Sequence, residues 1–455
     1  MKTTLISCVL LSAALCGPIT RAGGPTSEKR LLEMSRGLVK EVERLRGWEF
    51  KRPVTVEVYS EAQLRKHLMM MIEREYGDGR LERLDAYMTL IGLLPPDVNL
   101  RDTTMELLLN QIGGFYDPED KKLRLLKREG VDYGELMNSV LIAHELTHAL
   151  DDQHTPLTKL YHQASKSQDF EYAIGSVIEG SATVLMTRFM LQKMTSADFA
   201  DEKLGELMAS EMKRSEPLLK APPYFRTLMA TYMCGMSFLT ADNPAAMAAW
   251  ATGKGAGVGE QVLAATRDPP ASSEQILHPE KYWDKKHRDA PVEIDDDPIV
   301  PLLEKLGGYV THKDTLGELL CAILAADDEL PFDMMLAGSA AAWTNPAATG
   351  WGGDRLYLLV DAKDREAALK DFKNPRAVWI TAWDTRDDRD EFVDEYAFQR
   401  DLKSRRESPI GDKVAVYTFG LTEAQHDQIV KDLERGALRM RRDGQPWSSR
   451  DGDRR

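Results

Sequence analysis

The stretch His144-Glu145-Leu146-Thr147-His148 constrains this chain more than any other. On an α-helix, histidines four positions apart lie about 40° apart around the axis, so both imidazoles reach one metal ion. Glu145 stands one position along, where a carboxylate can hold a water on that ion and take its proton, the chemistry of metal-assisted hydrolysis. The pattern predicts a helix over about 135–151 that carries part of a metal site, and it requires a third ligand from elsewhere. With nine histidines in 455 residues, a chance match is expected on the order of once in a hundred such chains.

The candidate for that ligand lies about thirty residues downstream. Between Asp169 and Leu191 the apolar residues Ile174, Val177, Ile178, Leu185 and Phe189 recur at helical spacing. Glu179 sits among Gly175, Ser176, Ala182 and Thr183, all small, at its i−4, i−3, i+3 and i+4 positions. Small neighbours let a second helix approach closely enough for Glu179 to complete a zinc site with His144 and His148, leaving a fourth position open. His154 is the competitor, because its offset from His148 is that of the third histidine in the HExxHxxGxxH arrangement. Asp151, however, occupies the position where that arrangement needs glycine to leave the helix. On an unbroken helix His154 points about 120° away from His148. Glu179 is the expected third ligand and His154 the alternative.

Hydrophobic residues make up 43% of the chain and charged residues 29%, the balance of a globular protein. The net charge of −14 and pI of about 5.3 argue against nucleic acid or an anionic membrane as the main partner. The length suits two domains. Met1-Lys2-Thr3-Thr4, the apolar run Leu5 to Leu15 and Thr20-Arg21-Ala22 read as a signal peptide over 1–22, so the protein is expected to be exported, periplasmic or extracellular. Cys8 and Cys16 would leave with the signal. Lipoprotein anchoring at either is the weaker alternative, since Cys8 comes too early and Leu15 precedes Cys16 where a small residue belongs. No later apolar run reaches the ~20 residues of a membrane span. Cys234 and Cys321 can form one disulfide or remain two buried thiols.

Residues 27–46 read as an amphipathic helix, Pro53 to Tyr59 as a strand, and Ser60 as the cap of a helix through Leu64, Leu68 and Ile72. A further helix from Leu81 to Leu94 stops at Pro95-Pro96. Gly113 to Leu126 reads as a β-hairpin just before the motif helix. Residues 193–240 are expected to be helical, and the glycine-rich run 253–259 a loop, because no strand precedes it and no Lys-Ser/Thr pair ends it. Pro- and Asp-rich 291–301 reads as a linker closing a first domain of 27–290. An α+β domain of 302–440 and a disordered tail of 441–455 follow. Trp351, Trp379 and Trp383 are expected in that domain's core.

Four stretches, Gln111 to Pro118, Ala143 to His154, Glu179-Gly180-Ser181-Ala182 and Ser272 to Tyr282, together resemble the exported bacterial zinc peptidases of the gluzincin (MA clan) group. The likeness continues through Gly350 to Arg355 and Trp383-Asp384-Thr385. It implies a zincin-like, mainly helical peptidase domain with a small mixed sheet, followed by a smaller α+β domain. It further implies Zn2+ held by His144, His148 and Glu179, Glu145 as general base, and a peptide or protein substrate. A donor to the tetrahedral oxyanion is then needed. Tyr224, Tyr232, His278 and Tyr282 are candidates, with Tyr232 and His278 preferred. The rival function is a non-catalytic binding or scaffold protein of the cell envelope, which has no need of Glu145.

Overall fold

The computed structural model describes residues 27–448 apart from 78, 129–133, 194–216, 219, 242, 244, 328–339, 371 and 443–444. The expected signal peptide, part of the 193–240 helical stretch and the end of the tail lie outside the described residues. The architecture is α+β.

Helix α1 (Glu28–Arg46) starts at Ser27, whose side chain accepts from Arg30 N. β1 (Thr55–Tyr59) leads to α2 (Glu61–Tyr76), opened by a reciprocal capping box between Ser60 and Gln63. The helix expected to reach Leu94 is shorter: α3 (Arg80–Leu90) ends where Gly92 turns the chain at φ 87°. No element was expected over α4 (Leu100–Gln111), which Asn99 caps through Asp102 N. The hairpin follows as β2 (Gly114–Asp117) and β3 (Lys122–Leu126). Helices α5 (Gly134–His154), α6 (Leu157–Ala164) and α7 (Gln168–Lys193) carry the motifs, and α8 (Arg226–Leu239) crosses α7.

The first sheet has the order β1-β3-β2, with β1 parallel to β3 and β2 antiparallel at one edge. Alternation divides its faces. Val56, Val58, Tyr116, Leu123 and Leu125 pack with Val42 and Leu45 of α1 and Ile142 and Leu146 of α5. On the opposite face Tyr59 and Phe115 meet His67 of α2, and Arg124 lies over the Tyr59 and Phe115 rings. The sheet therefore seats the motif helix through one face. Helix α7 is long and apolar enough to cross a membrane, but 83% of its most apolar window is buried and it packs between α5 and α8. It is a core helix.

Residues 291–301, read from the sequence as a linker, carry regular structure. They contain β4 (Val292–Ile294) and enter a helix, Asp296–Glu304. The strands β5 (Tyr309–Asp314), β6 (Trp351–Val360), β7 (Arg376–Trp383), β8 (Arg405–Ile410) and β9 (Val414–Phe419) follow, with β10 (Met440–Arg442) at the end. β10 pairs antiparallel with β4, and Met440 also bridges Ser448, so the head of the expected tail is ordered by a partner nearly 150 residues away. The other five strands form an antiparallel sheet of order β5-β6-β7-β9-β8. Pro409 is tolerated because β8 is an edge. Leu356, Trp379 and Tyr417 lie in register on one face and join the main core with Trp351 and Trp383. Tyr357 and Val378 on the other face pack against Ile299, Leu303 and Ile429. The core runs from the N-terminal helices into this sheet without interruption. Cys234 and Cys321 are separate buried thiols, and burial pushes both upward, Cys234 to about 12.

Candidate metal centre

The motif helix is longer than expected and unbroken through Asp151 and His154. Its histidines meet Glu179, near the middle of α7, through three converging atoms. His144 Nε2 lies 3.1 Å from His148 Nε2 and 3.2 Å from Glu179 Oε2, and His148 Nε2 lies 3.4 Å from that oxygen. A tetrahedral ion with bonds of roughly 2.0–2.1 Å has ligand-to-ligand edges of about 3.3 Å. The triangle has those dimensions. Glu179 Oε1, fully buried, has no protein partner among the described residues, as expected of a carboxylate whose partner is an ion. The donor set of two imidazoles and one carboxylate fits zinc.

Burial opposes charge on both His148 and Glu179, and their mutual attraction outweighs it. In the metal-free chain His148 is held above the usual imidazole range and Glu179 below the usual carboxylate range. His144 and Glu179 are 0% exposed, Glu145 2% and His148 6%, so the cluster is enclosed. Neither His144 Nδ1 nor His148 Nδ1 meets a protein acceptor among the described residues. The rings are therefore oriented by packing and by the placement of their helix, without the usual hydrogen bond behind each ligand.

Glycine at 180 explains how α8 approaches. A methyl group there would lie 2.3 Å from the carbonyl carbon of Gly235. This close crossing lays the fully buried ring of Tyr232, one turn before Gly235, over His144, with centroids 6.0 Å apart and planes at 23°. Of the four expected oxyanion donors, only Tyr232 is seen to pack on a ligand of the cluster. Tyr224 donates to Gln168 Oε1 at 3.0 Å and Tyr282 to the Asp268 carbonyl at 2.7 Å. His278, expected as a catalytic residue, lies outside the cluster, and its Nε2 is engaged by Glu318 Oε1 at 2.8 Å. His154 is also placed elsewhere: it stacks on Trp48 at 4.8 Å, and its Nε2 meets the Glu49 carbonyl at 2.9 Å.

The hairpin packs on the motif helix. Tyr116 OH donates to Asp152 Oδ2 at 2.7 Å, and Lys121 Nζ lies 2.9 Å from that oxygen. Sequence patterns gave no signal for Arg46, the last residue of α1, whose side chain is buried against Asp151 and Ser181. A second convergent acidic group, Glu274, Asp289 and Asp384, already has protein cations. Lys281 Nζ is 2.5 Å from Glu274, 3.7 Å from Asp289 and 3.9 Å from Asp384, and Arg442 bridges the last two.

A family described as a domain of unknown function (DUF8575) matches residues 304–444, the part built around the five-stranded sheet. No curated protein and no solved structure matches the chain.

Proposed function

We propose that this chain is a zincin-like metallopeptidase of gluzincin type that is exported and hydrolyses peptide bonds in a peptide or protein substrate. The observation that carries this reading is the triangle of His144 Nε2, His148 Nε2 and Glu179 Oε2, whose 3.1–3.4 Å edges suit a tetrahedral zinc ion. Zinc bound by these residues would supply Lewis acidity, drawing the pKa of a water toward ~7 and polarising a carbonyl. Glu145, beside His144 on the same helix, accepts the proton from the attacking water and returns it to the leaving amine. Tyr232 is the donor of choice for the oxyanion. In this reading β2, antiparallel at the edge of the first sheet and tied to the motif helix through Tyr116, would be the strand that pairs with an extended peptide.

The enclosure of the cluster favours a second reading, a zinc-holding scaffold protein that substrate does not reach. Glu145→Gln separates the two. The peptidase reading expects a variant that keeps its zinc and loses hydrolysis of an unfolded protein substrate by about 10²- to 10⁴-fold. Wild-type protein with bound zinc and no hydrolysis dependent on Glu145 would leave the scaffold reading in its place.

A further inference from the structure

Three side chains from three helices meet one turn beyond the ligands. Arg46 Nη2, at the end of α1, donates to Asp151 Oδ2 of α5 at 2.9 Å and also to Ser181 Oγ of α7. Ser181 Oγ in turn donates to the same Asp151 oxygen. Asp151 follows His148 by three residues and Ser181 follows Glu179 by two, so the contact joins the two ligand-bearing helices beside their ligands. All three residues are buried, at 5%, 2% and 0% exposure. Arg46 also lies over the Trp48 ring, which stacks on His154, so the end of α1 grips the last turn of the motif helix at two points.

Stability alone is a poor account of this contact. A buried ion pair returns little net free energy against an apolar replacement of similar volume. Here Arg46 Nε and Asp151 Oδ1 also have no protein partner among the described residues, which adds cost. What the contact does fix is the register of α5 against α7. That matters because neither histidine is held through its Nδ1, so the metal triangle inherits its dimensions from helix placement.

We propose that Arg46, Asp151 and Ser181 are positioning residues that set the geometry of the His144–His148–Glu179 metal site. The inference rests on the metal-site reading above. Co2+ serves as the probe in the full chain, with affinity measured by competition against a chromophoric chelator and geometry by the visible d–d spectrum. The apolar triple variant Arg46→Met, Asp151→Leu, Ser181→Ala should fold with a similar unfolding midpoint, bind Co2+ about 10- to 100-fold more weakly and show an altered spectrum. Asp151→Asn, the milder change, should shift affinity and spectrum in the same direction and serves if the triple variant does not fold. Wild-type affinity and spectrum in either folded variant overturn the positioning role while leaving the metal site intact. Failure of the wild-type chain to take up Co2+ overturns the metal site itself, and the positioning role with it.

Discussion

Gly180 and Gly235 stand backbone against backbone: a methyl group on Gly235 would lie 2.0 Å from the Ser176 carbonyl oxygen and 2.9 Å from the Gly180 Cα. The obstacle is main chain, which cannot swing aside as a side chain can. Gly235→Ala should therefore force α7 and α8 apart and cost about 3 kcal/mol or more, the upper range for overpacking. Urea denaturation measures this, and an unchanged midpoint would show that the crossing has slack.

Metal retention should follow Glu179 and ignore His154. Glu179→Ala removes one vertex of the triangle, whereas His154→Ala removes only the contacts to Trp48 and the Glu49 carbonyl. After gel filtration, elemental analysis should find zinc near one equivalent in His154→Ala and far less in Glu179→Ala. The reverse pattern would return the third ligand to His154.

Asp354 organises the entry to the C-terminal sheet. Its carboxylate accepts from Leu316 N at 2.9 Å, Gly317 N at 2.9 Å, Trp351 Nε1 at 3.2 Å and Trp379 Nε1 at 2.9 Å. Asp354→Ala would strand four buried donors, each costing ~1–3 kcal/mol, for a total on the order of 4 kcal/mol or more. That is a large part of the stability of an ordinary domain. Chemical denaturation should find Asp354→Asn, which retains one carbonyl acceptor, between alanine and wild type.

Asp169, at the start of α7, gives a pH dependence of definite sign. Burial lifts its carboxyl to about 7, against the pull of Ser273, with Asp354 and Glu318 adding repulsion. The folded state keeps a proton that the unfolded chain releases near its ordinary value of 3.8. The contribution is thus full below about pH 4 and is lost as pH rises through about 7. Asp169→Asn, which can still accept from Ser273 N, should flatten the fall in unfolding free energy across that window. An unaltered slope would assign it to other buried acids such as Glu274, lifted by burial to about 8 despite Lys281.

Features written within a few residues were legible in the sequence. Ser60 signalled α2, and the alternation of Val54 to Tyr59 marked β1. The ring of small residues around Glu179 was read as making room for the motif helix, whereas the backbone that comes against α7 at Ser176 and Gly180 belongs to α8, at Gly235. The existence of α4 was not legible, because that region carries only a weak apolar period, and the end of α3 was misplaced because Gly92 rather than the later prolines makes the turn.

Chain spacing by itself determined that His144 and His148 share a helix face with Glu145 beside them, because one turn of backbone geometry suffices for that. Only the tertiary structure decided that Glu179 meets them, that His154 and His278 are engaged elsewhere, and that β4 and β10 pair with each other. Each of those outcomes depends on partners far apart in the chain, such as Arg46 and Asp151, 105 residues from each other. No local periodicity encodes such a pair; it forms because the packing of three helices brings a buried guanidinium to the nearest carboxylate able to receive it.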